Sequence, residues 1–255
     1  VTVGNEINIT GKKKAYIHIP SEKTISKRCS LFRVTTIPSC KPMNATNFRS
    51  ESDVTDYGWS TEDPGSSSYL NPRVLSMIAP FKPKRILDIG CGNGILCEQL
   101  RQVGYSVVGM DFDQGGVAIA RQNFPGINFY PYGVQHDPAT LTKEEGLFDM
   151  VISTEVIEHL FAPHLLMEYA AAVLDKKGLL LVSTPYHGYG KNLLLAILGK
   201  WDGHHMPLWH GGHIKFWCRA SLGQLFVNTN YEIIDFKGVG RIKYLWKSMI
   251  IIGQK

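Results

Sequence analysis

The chain has 255 residues, 44% of them hydrophobic, and a formal net charge of +5. That length affords a large core, and no apolar run approaches the roughly 20 residues that a membrane span needs. Five cysteines without paired spacing (Cys29, Cys40, Cys91, Cys97 and Cys218) exclude a disulfide framework and fit the reduced thiols of a cytoplasmic compartment.

The charge is unevenly placed. Residues 1–42 hold eight Lys or Arg against two acids, a net +6, so residues 43–255 carry −1. The body offers no electrostatic case for nucleic acid. Residues 1–42 read as a basic leader: a disordered arm, a translated upstream region or a cloning scar, with only Ala15 to Ile19 alternating like a strand. No apolar h-region of a secretory signal is present in it. Met43 reads as the start of the folded body, 43–255.

Residues 44–72 are polar and aromatic (Tyr57, Trp59, Tyr69), with a turn at Asp63-Pro64-Gly65 and a helix expected from near Pro72 to Ala79. From Lys84 strands and helices alternate. Strands are expected near 85–89, 106–110, 127–130, 148–153 and 178–183, and helices near 94–103, 114–122 and 161–174. Such alternation predicts a doubly wound, mostly parallel sheet with ligand-facing loops at the strands' C-terminal ends.

The first of these strands ends in a turn where Gly90, Gly92 and Gly94 alternate. Glycines there let the backbone bend sharply and let a ligand lie against it. A dinucleotide fingerprint would need a third glycine at position 95, which is Ile, and no phosphate-binding G-x-x-x-x-G-K-[ST] occurs. The second strand ends in Asp111, 19 residues past Gly92, the distance at which a βαβ unit brings a carboxylate to ribose hydroxyls. Phe112 follows, suited to an adenine face. Here the sequence resembles the class I S-adenosylmethionine-dependent methyltransferases: Asp88 to Gly94 (D-I-G-C-G-N-G) matches their hallmark strand-turn and Asp111 their ribose acid.

After the fourth strand come Glu155, Glu158 and His159 at i, i+3 and i+4. If helical, they share one face and suit a metal ion or a general base; the plainer alternative is a helix start favoured by its dipole. Residues 184–218 break the alternation as a lid or acceptor insertion after strand five. Within it, 191–201 is an apolar run with basic ends, suited to cover a hydrophobic site, to touch a membrane surface or to enter the core. His204, His205, His210 and His213 then lie among Trp201, Trp209, Phe216 and Trp217. Their spacing fits no zinc pattern, which favours an aromatic acceptor pocket with one histidine as an alternative base. A helix near 219–227 and strands at 230–236 and 243–252 complete the chain.

Glu155 to His159 (E-V-I-E-H), Asn71-Pro72 and the long segment after strand five make residues 57–255 similar to the ubiquinone-biosynthesis O-methyltransferases. That resemblance implies a seven-stranded Rossmann-like methyltransferase fold whose last two strands form an edge hairpin. It places Gly90, Asp111 and Thr154 on S-adenosylmethionine, with Asp88, Gly92 and Phe112 in the same loops. It further implies Glu155, Glu158 and His159 around a divalent cation, magnesium or zinc, beside a phenolic acceptor. Arg73 directly follows Asn-Pro, whereas the family's cofactor arginine follows by two places. His213 falls in a G-x-H segment where the family also places a histidine. The implied activity is O-methylation of a small apolar or aromatic acceptor, prenylated quinone-like molecules included. The alternatives are a non-catalytic S-adenosylmethionine-binding partner protein, or a methyltransferase acting on RNA or protein; Thr184-Pro185-Tyr186 only faintly echoes an amide-binding tetrapeptide.

Overall fold

Ile86, Leu87 and Ile89 are all buried, because strand β1 (Arg85–Ile89) runs through the middle of a sheet covered on both faces. Successive side chains point to opposite faces, so Ile86 joins one apolar cluster and Leu87 and Ile89 the other. The computed structural model describes residues 59–62, 65–205, 207 and 211–255. The leader, Tyr57, most of the Asp63–Gly65 turn, Trp209 and His210 lie outside these described residues.

Seven strands are hydrogen-bonded in the order β3-β2-β1-β4-β5-β7-β6. Beside β1 these are β2 (Ser106–Met110), β3 (Asn128–Tyr130), β4 (Phe148–Thr154), β5 (Leu174–Pro185), β6 (Glu232–Val239) and β7 (Ser248–Gln254). Strands β1 to β5 pair in parallel, and β7 pairs antiparallel with both β5 and β6. This is the Rossmann-like methyltransferase arrangement expected from the sequence. The winding reverses between β1 and β4, so the loops after those strands diverge and leave a crevice at their C-terminal ends.

One face is covered by α1 (Ser67–Ile78), α2 (Ile95–Val103) and α3 (Gln114–Asn123), through Leu70, Val74, Leu96, Leu100, Val117 and Ala120. The other is covered by α4 (Pro138–Glu145), α5 (His164–Val173) and α8 (Arg219–Asn228), through Leu141, Leu166, Met167, Leu222 and Phe226. Between β5 and α8 lie α6 (Tyr189–Ile197) and the short α7 (Trp201–His205). No helix among the described residues is long and apolar enough to cross a membrane.

Three expectations shift. Helix α1 begins at Ser67, ahead of Pro72, which sits inside it. Strand β7 begins at Ser248, because 240–247 is a turn region with Ile242 and Tyr244 exposed. The stretch around Glu158 is a single 3₁₀ turn, Ile157–His159, where a helix face was expected. Glu155 has a left-handed φ of 55° and Leu160 is extended, and Pro163 disfavours helix in the residue before it.

Candidate active site

The glycine turn after β1 is fixed by the end of β2. Gly90 and Cys91 N–H groups donate to the Met110 carbonyl at 2.7 and 3.1 Å. Gly92 N–H donates to Asp111 Oδ2 at 2.7 Å, and Asp113 N–H to Oδ1 at 2.8 Å. The 19-residue spacing therefore joins acid and turn directly. Gly90 and Gly92 have φ of 81° and 51°, and a Cβ would collide with Val156 at the first and with the Trp59 ring at the second. Both the conformation and the close approach require glycine.

A cavity of about 410 Å³ opens at the crevice between β1 and β4. It is lined by Asp88 and Gly90 of the first loop, Asp111 and Phe112 of the second, and Thr154, Glu155 and His159 of the fourth. Gly92 does not line it; its N–H is directed at Asp111. Arg73 is exposed on α1 and stands outside the cavity, so the offset from the expected arginine position corresponds to a different place in space. From α1 the cavity receives Leu70 and Asn71 instead.

Sequence reasoning missed two linings. Trp59 reaches the cavity because Asn93 Nδ2 donates to the Ser60 and Glu62 carbonyls at 2.8 and 2.9 Å, drawing that segment over the glycine turn. The loop after β3, Tyr132 to Gln135, also lines it; its position after a strand end was the available signal.

The acids of the first two loops are buried and perturbed. Burial raises the Asp88 carboxyl to about 7, against a Cys97 thiol that donates to Oδ2 at 3.3 Å. Asp88 Oδ1 has no hydrogen-bond partner among the described residues. Burial also raises Asp111 to about 6, opposed by the two backbone N–H bonds. A carboxylate offers about four lone-pair sites, so Asp111 retains acceptors for hydroxyl groups. A nucleoside ligand fits this arrangement: acceptors for the ribose, an orphaned acceptor at Asp88 and an aromatic ring at Phe112.

The fourth loop differs from the expected picture. Glu155 is held by two serines: its Oε1 accepts from Ser183 Oγ at 2.8 Å and its Oε2 from Ser248 Oγ at 3.1 Å. The positive φ at Glu155 and the 3₁₀ turn after it break the i, i+3, i+4 register. Among the described residues the cluster that could hold a metal ion is Glu158, His159 and His213, whose ligand atoms lie within 4.8 Å of one another. Glu155 is not part of that cluster. His213 enters because the segment after α7 docks on the turn: Ile214 and Lys215 N–H donate to the Glu158 carbonyl at 2.9 and 3.0 Å.

Glu158 Oε2 accepts from Thr184 Oγ1 at 3.0 Å, while Oε1 lies 4.0 Å from His213 Nε2. Burial raises the Glu158 carboxyl, and the charge of Glu155 adds to the effect. His159 Nδ1 lies 2.6 Å from the Gly211 carbonyl oxygen, which selects the Nδ1–H tautomer and makes Nε2 the basic nitrogen. Burial lowers both imidazoles, His213 to about 4 with the neighbouring His159 contributing, so both are neutral at pH 7.

Comparison with known proteins agrees with the geometry. Residues 67–235 match the family model described as a methyltransferase domain. The chain is 33% identical over 184 residues to a ubiquinone biosynthesis O-methyltransferase of Roseobacter denitrificans, covering 69% of this chain and 71% of that one. It is 29% identical over 172 residues to the Bartonella bacilliformis protein of the same name, covering 64% and 65%. The match thus spans about two thirds of these relatives' length. Its fold is similar to magnesium protoporphyrin IX methyltransferase from Synechocystis with bound SAH (TM-score 0.56, 19% identity, 73% of this chain and 82% of that one). It is also similar to the N-methyltransferase NodS from Bradyrhizobium japonicum in complex with S-adenosyl-L-homocysteine (TM-score 0.55, 13% identity, 76% and 89%). The chain belongs to this methyltransferase family, the S-adenosylmethionine-dependent enzymes of Rossmann-like fold.

Proposed function

We propose that the protein O-methylates a hydroxyl on a small, largely apolar acceptor, with Asp88, Gly90, Asp111, Phe112 and Thr154 holding the cofactor. The observation that carries this reading is the shared cavity: Asp111 and His159 line the same space. Asp111 would accept from the ribose hydroxyls, Phe112 would offer its ring to the base, and Asp88 Oδ1 would accept a further donor. Bound S-adenosylmethionine supplies an activated methyl group. The chain's own task is then to orient the acceptor and remove its proton.

His159 is the base in this reading. Gly211 holds its Nδ1–H, and its depressed basicity keeps Nε2 unprotonated at neutral pH. Nε2 would take the proton released by the acceptor hydroxyl, a phenol of pKa ~10 being in range. His213 packs edge-on against this ring with centroids 4.9 Å apart, and Glu158 Oε1 lies 4.0 Å from His213 Nε2. Glu158, His159 and His213 also form a donor set fit for magnesium or zinc, which would lower the acceptor's pKa by charge. Support for an apolar acceptor comes from the ubiquinone biosynthesis O-methyltransferase relatives and from α6, which leaves Leu193, Leu194 and Ile197 exposed near the insertion. The same face suits peripheral contact with a membrane surface through 191–201.

The test begins untargeted: labelled S-adenosylmethionine with host extract should put label into a lipid or small-molecule fraction, in an alkali-stable ether. His159→Ala should cost about 10²–10⁴ in rate. Chelator separates the two versions of the chemistry, abolishing turnover only where a cation takes part. Label in RNA or protein alone would sink the reading.

A further inference from the structure

The charges that line the main cavity are of one sign. Among its described lining residues Asp88, Asp111 and Glu155 carry carboxyl groups, and no Lys or Arg is present. S-adenosylmethionine ends in an amino acid, with an ammonium and a carboxylate group. The ammonium is drawn to the acids, where Asp88 Oδ1 is buried without a hydrogen-bond partner among the described residues. The carboxylate is repelled by those acids and needs donors elsewhere.

The start of α1 supplies them. Ser66, Ser67 and Asn71 all line the cavity. A helix start leaves its first N–H groups unpaired, and an N-cap side chain normally accepts from one of them. Ser66 holds the N-cap position with helical φ and ψ, and its hydroxyl makes no capping bond. No acid lies in the first turn to offset the helix dipole. Ser67 is only 7% exposed, and its hydroxyl has no hydrogen-bond partner among the described residues, which leaves a buried donor at the cavity wall. Asn71 Nδ2 donates to Gln99 Oε1 at 2.9 Å, and an amide nitrogen has a second N–H to give. The position suits the far end of the cofactor. Tyr69, in the same turn, has its hydroxyl 3.1 Å from Ser248 Oγ, which donates to Glu155 Oε2 at 3.1 Å. Glu155 follows β4 and Asp111 follows β2, with β1 between those strands. The start of α1 therefore stands on the β4 side of the crevice, across β1 from Asp111. A ligand with its ribose at Asp111 extends its other end toward this turn.

We propose that the first turn of α1, through the Ser66 and Ser67 hydroxyls, its free N–H groups and the Asn71 amide, is the carboxylate site for the amino-acid end of S-adenosylmethionine. Neutral donors and a helix dipole there do the work of a guanidinium. Arg73, further along α1, is exposed and does not line the cavity. The site rests on this cavity being the cofactor's, and it is independent of which acceptor is methylated.

The experiment is titration calorimetry on the full-length chain with two ligands. One is S-adenosylhomocysteine; the other is its decarboxylated analogue, which keeps the adenosine, the sulfur and the ammonium group. The parent should bind S-adenosylhomocysteine about tenfold more tightly or better, the scale of a hydrogen bond to a charged group. Ser67→Ala should weaken S-adenosylhomocysteine about tenfold and leave the analogue unchanged, a split that general loss of structure does not produce. Ser66→Ala carries the same comparison where the Ser67 variant does not fold. Arg73→Ala should leave both affinities unchanged. Equal binding of the two ligands by the parent, equal weakening of both in Ser67→Ala, or full S-adenosylhomocysteine affinity in that variant would overturn the site. So would a selective loss of S-adenosylhomocysteine in Arg73→Ala. A parent that binds neither ligand would overturn the cofactor cavity and this site with it, whereas label found only in RNA or protein would remove the O-methylation reading and leave this site standing.

Discussion

Asp111 does two jobs with one carboxylate. It ties Gly92 and Asp113 N–H groups into a fixed shape, and it keeps acceptor capacity toward the cavity. Asp111→Ala should therefore weaken S-adenosylhomocysteine binding by about 1–3 kcal/mol, the scale for hydrogen bonds to a charged group. Titration calorimetry on the folded variant decides it, and unchanged affinity would take Asp111 out of the site. This residue was legible in sequence because spacing alone positions it. Glu155 was not: its place beside Glu158 depended on a helix, and a single positive φ sends its side chain to Ser183 and Ser248. His213 shows the converse, since its approach to Glu158 is made by backbone hydrogen bonds that no local pattern announces.

Among elements, α6 inverts the usual rule. Its one buried residue is Lys191, while Leu193, Leu194 and Ile197 face outward. A helix whose apolar side chains are already exposed loses little when they become polar. Leu193→Ser with Ile197→Ser should leave the melting transition within about 0.5 kcal/mol of the parent. The same pair should reduce turnover of acceptors with long apolar tails, or sedimentation with anionic lipid vesicles. A large fall in melting temperature would place this helix in the core and defeat the argument. The strands were readable for the opposite reason: buried on both faces, β1, β2 and β4 show continuous apolar runs that short-range patterning captures. Helix α4 was overlooked although Asp137 caps it and Pro138 opens it, a start signal present in the sequence. It has one buried side chain, Leu141, too few for a visible period.

For the whole molecule, buried acids and buried histidines pull stability in opposite directions with pH. Asp88 is raised to about 7, so the folded state binds its proton more tightly than the unfolded chain; its contribution to stability declines as pH rises from about 4 to 7. His187 and His213 are lowered to about 3 and 4, so their contribution is lost as pH falls below ~6.5. Comparing parent with Asp88→Asn cancels the histidines. The variant's melting temperature relative to the parent should rise steadily between pH 5 and 7.5; a flat difference would show that Asp88 titrates normally. The sheet order carries one more consequence, for synthesis. Strand β7 lies between β5 and β6, and Met249, Ile250, Ile251 and Ile252 within it are all buried. The loops of β1, β2 and β4 emerge from the ribosome early, yet β5 keeps one edge unpaired until Gln254 has been made. The nascent chain thus waits with a bare sheet edge and an exposed apolar face, dependent on β7, which is made after β6, to end its exposure to other chains.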